Sequence, residues 1–275
     1  MGKDDLQAHL NQTDLEKIPR KKTRQVRVCG LSIGGNAPIV IQEMTSTYTA
    51  DIDATVGQIK QIEEEGCRLI RVAIPDEESA QAVREIKKRI TIPLVGDIHF
   101  DYRLALRAIE NGIDKLRINP GNIGGKKKIA ALASAAGERA IPIRIGVNSG
   151  SLERALLRKN GGVTPEAMVE SALGQVYLLE QHRFQDIVIS LKSPDIRLTV
   201  EANRLLSSRL DYPLHIGITE SGLGEDGLVR SVEGLSILLL EGIGDTVRIS
   251  LTEEDRSVNL RLCRSVLERL GIPYV

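Results

Sequence analysis

Five short stretches of this chain place a cation where a strand would ordinarily carry an apolar side chain. They are Ile70-Arg-Val-Ala-Ile74, Lys115-Leu-Arg-Ile-Asn-Pro120, Ile143-Arg-Ile-Gly-Val-Asn148, Ile187-Val-Ile-Ser-Leu-Lys192 and Val247-Arg-Ile-Ser-Leu251. One parity is mostly Ile, Val or Leu. The other holds Arg71, Arg117, Arg144, Lys192 and Arg248, with Asn119, Asn148, Ser190 and Ser250 in register. Successive strand residues point to opposite faces, so several strands have an apolar face and a cationic one, and the cations can converge. Buried charges without partners are expensive, so such a cluster calls for a polyanion. Arginine offers a planar fork to phosphate oxygens and lysine a point charge. Each charge-assisted hydrogen bond contributes roughly 1.5–3 kcal/mol net. The competing arrangement is internal pairing with Asp97, Glu220 and similar carboxylates, but few acidic residues share the inward parity.

Two further groups sit at strand ends. Asp97-Ile-His99 points both side chains the same way, toward one ligand. An aspartate–imidazole pair can bind a metal, orient a substrate hydroxyl or transfer protons. Only four histidines occur in the chain, which weighs against a metal site. Thr219-Glu220-Ser221 sets a carboxylate beside the cations. It is a candidate proton donor or base, or else a structural or helix-capping group. Gly222-Leu-Gly-Glu-Asp-Gly227 matches the GxGxxG pattern, but it follows the seventh strand rather than the first. A phosphate-binding barrel loop or a plain flexible connection suits it better than a dinucleotide site. Asn119-Pro-Gly-Asn-Ile-Gly-Gly125 is a similar loop, either clasping the ligand or simply connecting.

These residues need elements to hold them. Strands are expected near 38–44, 68–74, 93–98, 114–119, 141–147, 186–191, 213–219 and 245–251. Helices are expected between and after them: from Asp53 to Glu65, over 77–89 behind Asp76, Tyr102 to Asn111, Lys126 to Arg139, Pro165 to Gln181, Asp195 to Ser208, Leu228 to Glu241 and Asp255 to Leu270. Thr164-Pro165 is a strong start signal, with an N-cap threonine and proline at the first helical position. Eight βα units in about 240 residues predict a (β/α)8 TIM barrel. A doubly wound sheet is the rival, but its central strands are apolar on both faces. The polar parity here suits a lumen that is polar toward the strand C-termini. Ahead of the barrel, Gln25–Val28 and Leu31–Ile33 flank Cys29-Gly30 and predict a β-hairpin. Residues 1–23 read as a polar, poorly ordered tail and 24–275 as the barrel domain.

Composition narrows the function classes. The 275 residues are 41% hydrophobic, ample for one large domain. Formal net charge is zero, aromatics are 3% and tryptophan is absent, which argues against nucleic-acid binding. The N-terminus lacks an apolar signal region, and Leu235–Leu240 is the longest apolar run, too short to span a bilayer. Cys29, Cys67 and Cys263 are scattered and form no CxxC pair. They predict reduced thiols in a cytoplasmic protein, with no disulfide frame or metal site.

Five segments in order carry a resemblance: Asp97-Ile-His-Phe-Asp-Tyr-Arg-Leu-Ala-Leu106, Lys115–Gly124, Arg144-Ile-Gly-Val-Asn-Ser-Gly-Ser-Leu152, Asp186–Lys192 and Glu241–Leu251. Together they resemble the 4-hydroxy-3-methylbut-2-enyl diphosphate synthase family from about residue 24 onward. Members open the ring of 2-C-methyl-D-erythritol 2,4-cyclodiphosphate and reductively remove a hydroxyl, in the methylerythritol phosphate route to isoprenoids. The resemblance implies a barrel similar to pteridine-binding barrels. It implies diphosphate contacts from Arg71, Arg117, Arg144, Lys192, Arg248 and Ser250, with Asn119, Asn148, Asp97, His99 and Thr219 in the same pocket. It also implies a proton-donor role for Glu220, a ferredoxin or flavodoxin as electron donor, and a homodimer. Family members hold a 4Fe-4S cluster on a C-terminal domain. No cysteine cluster occurs in this chain, so the expectation is a barrel without its own cofactor, dependent on an iron-sulfur domain supplied elsewhere and inactive alone. Ser193-Pro194 and Glu43 depart from the family pattern and are expected not to touch the proposed ligands. The alternatives are a stand-alone pteridine- or aldolase-type barrel, and a non-catalytic diphosphate-binding module.

Overall fold

Short polar caps and long apolar stripes divide the chain into alternating strands and helices. The computed structural model describes residues 18–219, 222, 224–251 and 255–275. The strands β1 (Val26–Val28) and β2 (Leu31–Ile33) form the expected antiparallel hairpin, turning through Cys29 and Gly30, both with positive φ. A turn with two positive-φ residues matches the twist of the flanking strands.

Eight parallel strands follow: β3 (Val40–Met44), β4 (Leu69–Ala73), β5 (Leu94–Ile98), β6 (Lys115–Ile118), β7 (Ile143–Asn148), β8 (Ile187–Lys192), β9 (His215–Ile216) and β10 (Thr246–Val247). They pair in the order β8-β7-β6-β5-β4-β3-β10-β9, and a parallel bridge from Ile189 to Leu214 links the two ends. The result is the predicted barrel, nearly closed. The helices between and after the strands are α1 (Ile52–Glu64), α2 (Glu77–Arg89), α3 (Tyr102–Glu110), α4 (Pro120–Ile123), α5 (Lys126–Glu138), α6 (Arg154–Asn160), α7 (Pro165–Gln181), α8 (Ile196–Arg209), α9 (Gly224–Leu240) and α10 (Ser257–Arg269).

Local chemistry explains the helix starts. Asp76, Thr164 and Asp195 each accept a backbone N–H from the first turn, at 2.8, 3.1 and 3.0 Å, satisfying donors that a helix leaves open. The cap of α1 is Asp51 rather than Asp53; it accepts from the Ala54 amide at 3.1 Å. The short α6 and a 3-10 turn at Ser149–Ser151 are additions to the expected elements.

Two expectations change at the far side of the barrel. β9 and β10 have two residues each, not seven. Gly217 has φ +154, and a Cβ there would collide with the Arg248 carbonyl oxygen and lie 2.9 Å from Lys192 Nζ. This close approach breaks the regular ladder after Ile216. The GxGxxG stretch is also not the expected loop, because α9 begins at Gly224. Gly227 is needed for packing: a Cβ there would sit 2.7 Å from the Gly222 carbonyl oxygen.

The lumen is layered. At the N-terminal mouth, Val26, Val28 and Ile33 of the hairpin pack against Val40, Leu69, Val95 and Val188. This apolar plug closes the end opposite the strand C-termini. The expected tail is partly outside the described residues. From Ile18 it is tied to the barrel: Arg20 pairs with Asp245 at 3.1 Å, and the Thr23 hydroxyl donates to the same carboxylate at 3.0 Å.

Gly217→Ala is expected to lower stability by more than the ~1 kcal/mol of an ordinary glycine effect, because the new methyl meets backbone. Chemical denaturation of the variant checks this; unchanged stability would show that β9 can yield.

Candidate functional site

Above the apolar plug the inward positions turn polar. Strand register sets the first row. Asp97 of β5 lies beside Arg117 of β6, and Arg117 beside Arg144 of β7. Like charges facing each other across strands destabilise a sheet, so this row needs counter-charge. On the other side Arg71 of β4 pairs in register with Met44 of β3. Lys192 ends β8 opposite Asn148 of β7.

These residues enclose a cavity of about 280 Å³. Its walls bring together Arg71, Arg117, Arg144, Lys192 and Arg248, so all five sequence-predicted cations meet. Asp97 and His99 join them, as do Asn148, Ser190, Thr219 and Ser250. Asn119 is placed elsewhere. It is buried outside the cavity walls, and its amide bonds the Ser151 hydroxyl at 2.9 Å. Its carbonyl also accepts the Asn122 and Ile123 amides that start α4. The one-turn helix after β6 thus ties Asn119 into the loop. Glu220 lies outside the described residues.

Asp97 is the hub of the site. Arg117 Nη1 donates to its Oδ1 at 2.9 Å, and Arg71 Nε lies 3.5 Å from its Oδ2. Burial works to raise the Asp97 pKa, but Arg71, Arg117 and His99 outweigh it and hold the carboxyl well below its usual range. Arg117 Nη1 also lies 2.8 Å from His99 Nε2. The same His99 nitrogen lies 3.3 Å from Asp97 Oδ1. Asp97 is therefore a counter-ion to two arginines. Among the described residues, no group of three or more His, Cys, Asp or Glu is placed to hold a metal ion.

Glu43 is a correction. It was expected not to touch the ligand set, yet its Oε1 accepts from Arg248 Nε at 3.2 Å. Among the described residues, the five cations of the cavity thus meet two carboxylates, Asp97 in its wall and Glu43 beside Arg248. Arg144 and Lys192 have no ion pair among the described residues. Burial first, and the neighbouring arginines second, push both well below their ordinary pKa values. Arg71 is pushed down to about 10 by burial, with Asp97 opposing. A polyanion would relieve this repulsion.

Four lumenal residues escaped the sequence reading. Met44 Sδ accepts from Arg71 Nε and Nη2 at 3.1 and 2.9 Å. Beneath the cations, Lys115, Gln42 and His215 are fully buried. His215 Nδ1 lies 2.9 Å from the Thr246 hydroxyl, and burial followed by Arg144 pushes its pKa well down. Lys115 shares the parity of Arg117, and His215 that of Thr219, so alternation was the signal that could have found them.

The thiols do not fit an iron-sulfur cluster. Cys29 is exposed at the hairpin turn, while Cys67 and Cys263 are buried. Burial raises those two thiols to about 11 and about 12, so they stay protonated. None of the three lines the cavity, and such clusters are held by thiolates.

Comparison with known proteins agrees with this geometry. The family model described as the GcpE TIM-barrel domain matches residues 23–263. A relative from Caldanaerobacter subterraneus is 58% identical over 253 residues, covering 92% of this chain and 71% of the relative. One from Anoxybacillus flavithermus is 56% identical over 257 residues, covering 94% and 70%. Both are called 4-hydroxy-3-methylbut-2-en-1-yl diphosphate synthase (flavodoxin). Among solved structures, Yersinia pestis dihydropteroate synthase aligns over 90% of this chain and 98% of its own, with TM-score 0.64 and 11% identity. A 3-dehydroquinate dehydratase from Geobacillus kaustophilus aligns over 92% and 98%, with TM-score 0.63 and 15% identity. At those identities the likeness is one of fold alone.

Asp97→Asn is expected to cost roughly 3–5 kcal/mol, as removing one partner of a buried ion pair does. Added inorganic diphosphate should recover part of that loss, because a bound anion replaces the missing counter-charge. Thermal melts with and without diphosphate read both effects. A variant as stable as the parent would remove Asp97 from its place as hub.

Proposed function

Because the chain belongs to the GcpE TIM-barrel domain family, we propose that its cavity binds the diphosphate of 2-C-methyl-D-erythritol 2,4-cyclodiphosphate for reductive ring opening, as a 4-hydroxy-3-methylbut-2-enyl diphosphate synthase barrel. The observation that carries this reading is the excess, among the described residues, of the cavity's five cations over the two carboxylates paired with them. A diphosphate supplies the missing negative charge and several acceptor oxygens. Arg144 and Lys192, which lack an ion-pair partner among the described residues, are its primary anchors. Arg71, Arg117 and Arg248 arrive already oriented by Asp97, Met44 and Glu43. Asn148, Ser190, Thr219 and Ser250 line the same walls and can meet the ligand's remaining oxygens.

Ring opening leaves its oxygen on the diphosphate as an anion, whereas the departing hydroxyl needs a proton to leave as water. Glu220 follows the cavity residue Thr219 in sequence and is assigned as that donor. The reaction also needs electrons. The thiols described above do not suit a 4Fe-4S cluster. We assign the cluster to an iron-sulfur domain distinct from this barrel, in keeping with a homodimeric arrangement, and the electrons to a flavodoxin or ferredoxin donor. The relatives' names include flavodoxin. Among the described residues no helix is long and apolar enough to cross a membrane.

Titration calorimetry of this chain with the cyclic diphosphate, and with inorganic diphosphate as a weaker ligand, is expected to show binding. Charge reversal of Arg144 or Arg117 should abolish the heat. The depressed Lys192 and Arg71 pKa values give a sign. The anion favours their protonated forms, so binding takes up protons and weakens as pH rises through the lowered lysine value and toward about 10. Absence of binding by the folded chain would sink the pocket reading.

Glu220→Gln, placed in an enzyme that includes the iron-sulfur domain, is expected to keep substrate affinity and lose about 10²–10⁴ in turnover, the usual worth of a general acid. Steady-state kinetics under anaerobic conditions reads this. Near-normal turnover would leave Glu220 a structural group.

A further inference from the structure

The cavity mechanism accounts for the cations but leaves Glu43 unexplained, a carboxylate only 1% exposed. Its Oε1 joins two strands. It accepts the amide N–H of Met44 at 2.9 Å and the Nε–H of Arg248 at 3.2 Å. The Arg248 guanidinium is held at a second point, where Nη1 donates to the Ser250 hydroxyl at 2.5 Å. Two of its three nitrogens are thereby committed to the protein. Nη2 has no hydrogen-bond partner among the described residues, on a side chain that lines the cavity.

We infer that Glu43 is a positioning residue for anion recognition: it takes the Nε–H of Arg248 so that the Nη2 edge of the guanidinium is presented to the diphosphate. This rests on the cavity being a diphosphate site. The neighbouring residue acts in parallel, since Met44 carries Arg71 on its sulfur. The end of β3 therefore orients two cations, one through a carboxylate and one through a thioether. Arginine has rotamer entropy to lose on being fixed. A guanidinium fixed before the ligand arrives spares that loss on binding.

Positioning and plain electrostatics predict opposite signs. As a bare negative charge near the cavity, Glu43 would repel the ligand, and any neutral replacement would tighten binding. As a hydrogen-bond acceptor, it can be replaced by the isosteric amide but not by an apolar side chain.

The test is calorimetric titration of inorganic diphosphate into the parent chain, Glu43→Gln and Glu43→Leu, with thermal melts confirming the fold. Glu43→Gln should bind within about threefold of the parent or tighter, and Glu43→Leu about tenfold more weakly, the loss of one oriented contact. In an Arg248→Ala background the Glu43→Leu change should cost nothing further. Equal or tighter binding by Glu43→Leu overturns the positioning role while leaving the pocket intact. No binding by the parent overturns the pocket itself. Should Glu43→Leu fail to fold, hydrogen exchange of arginine Nε–H groups in the parent decides. Slower exchange at Arg248 than at the exposed Arg197 supports the contact, and equal exchange overturns it.

Discussion

Like charges gathered in a low-dielectric lumen repel one another, and much of this structure answers that fact. Arg71, Arg117, Arg144, Lys192 and Arg248 come from five different strands and end in one cavity. Strand register makes the crowding unavoidable, because Arg117 and Arg144 are direct neighbours across β6 and β7. Two carboxylates offset part of it. Asp97 serves two arginines from the centre, and Glu43 serves one from the side. The rest of the charge has no ion-pair partner among the described residues.

The surrounding fold makes that arrangement tolerable. The hairpin seals the N-terminal mouth with valine and isoleucine, so the polar layers are confined to the opposite end. Glycines open space where side chains must cross. A Cβ at Gly146 would run into the Arg117 guanidinium, and one at Gly217 would meet the Arg248 carbonyl and Lys192 Nζ. A normal barrel lumen is filled by branched apolar residues in layers. Here the upper layers exchange that packing for charge, and the stability they forgo has to come from the apolar interface between strands and helices.

Shared architecture does not carry the function. Dihydropteroate synthase and dehydroquinate dehydratase present the same fold at 11% and 15% identity. What separates barrels of this kind is the chemistry of the inward side chains at the strand C-termini. Among the described residues of this chain those side chains are mainly basic, and the family match extends over residues 23–263.

The sequence by itself determined the strand parity, and with it the five cations, the eightfold repeat and the hairpin. Alternation in a strand is a local property, so Arg71, Arg117, Arg144, Lys192 and Arg248 could be assigned to one face before any contact was known. What only the tertiary structure decided were the meetings between distant segments. Glu43 and Arg248 are 205 positions apart, and no spacing links them; closure of the barrel between β3 and β10 does. The bonds that tie Asn119 to the helical turn after it and to Ser151 are likewise tertiary detail. The β3–β4 register sets Met44 beside Arg71, a pairing that no spacing in the sequence shows. Parity follows from the geometry of one strand, whereas partnership depends on register and closure, which exist only once all eight strands have come together.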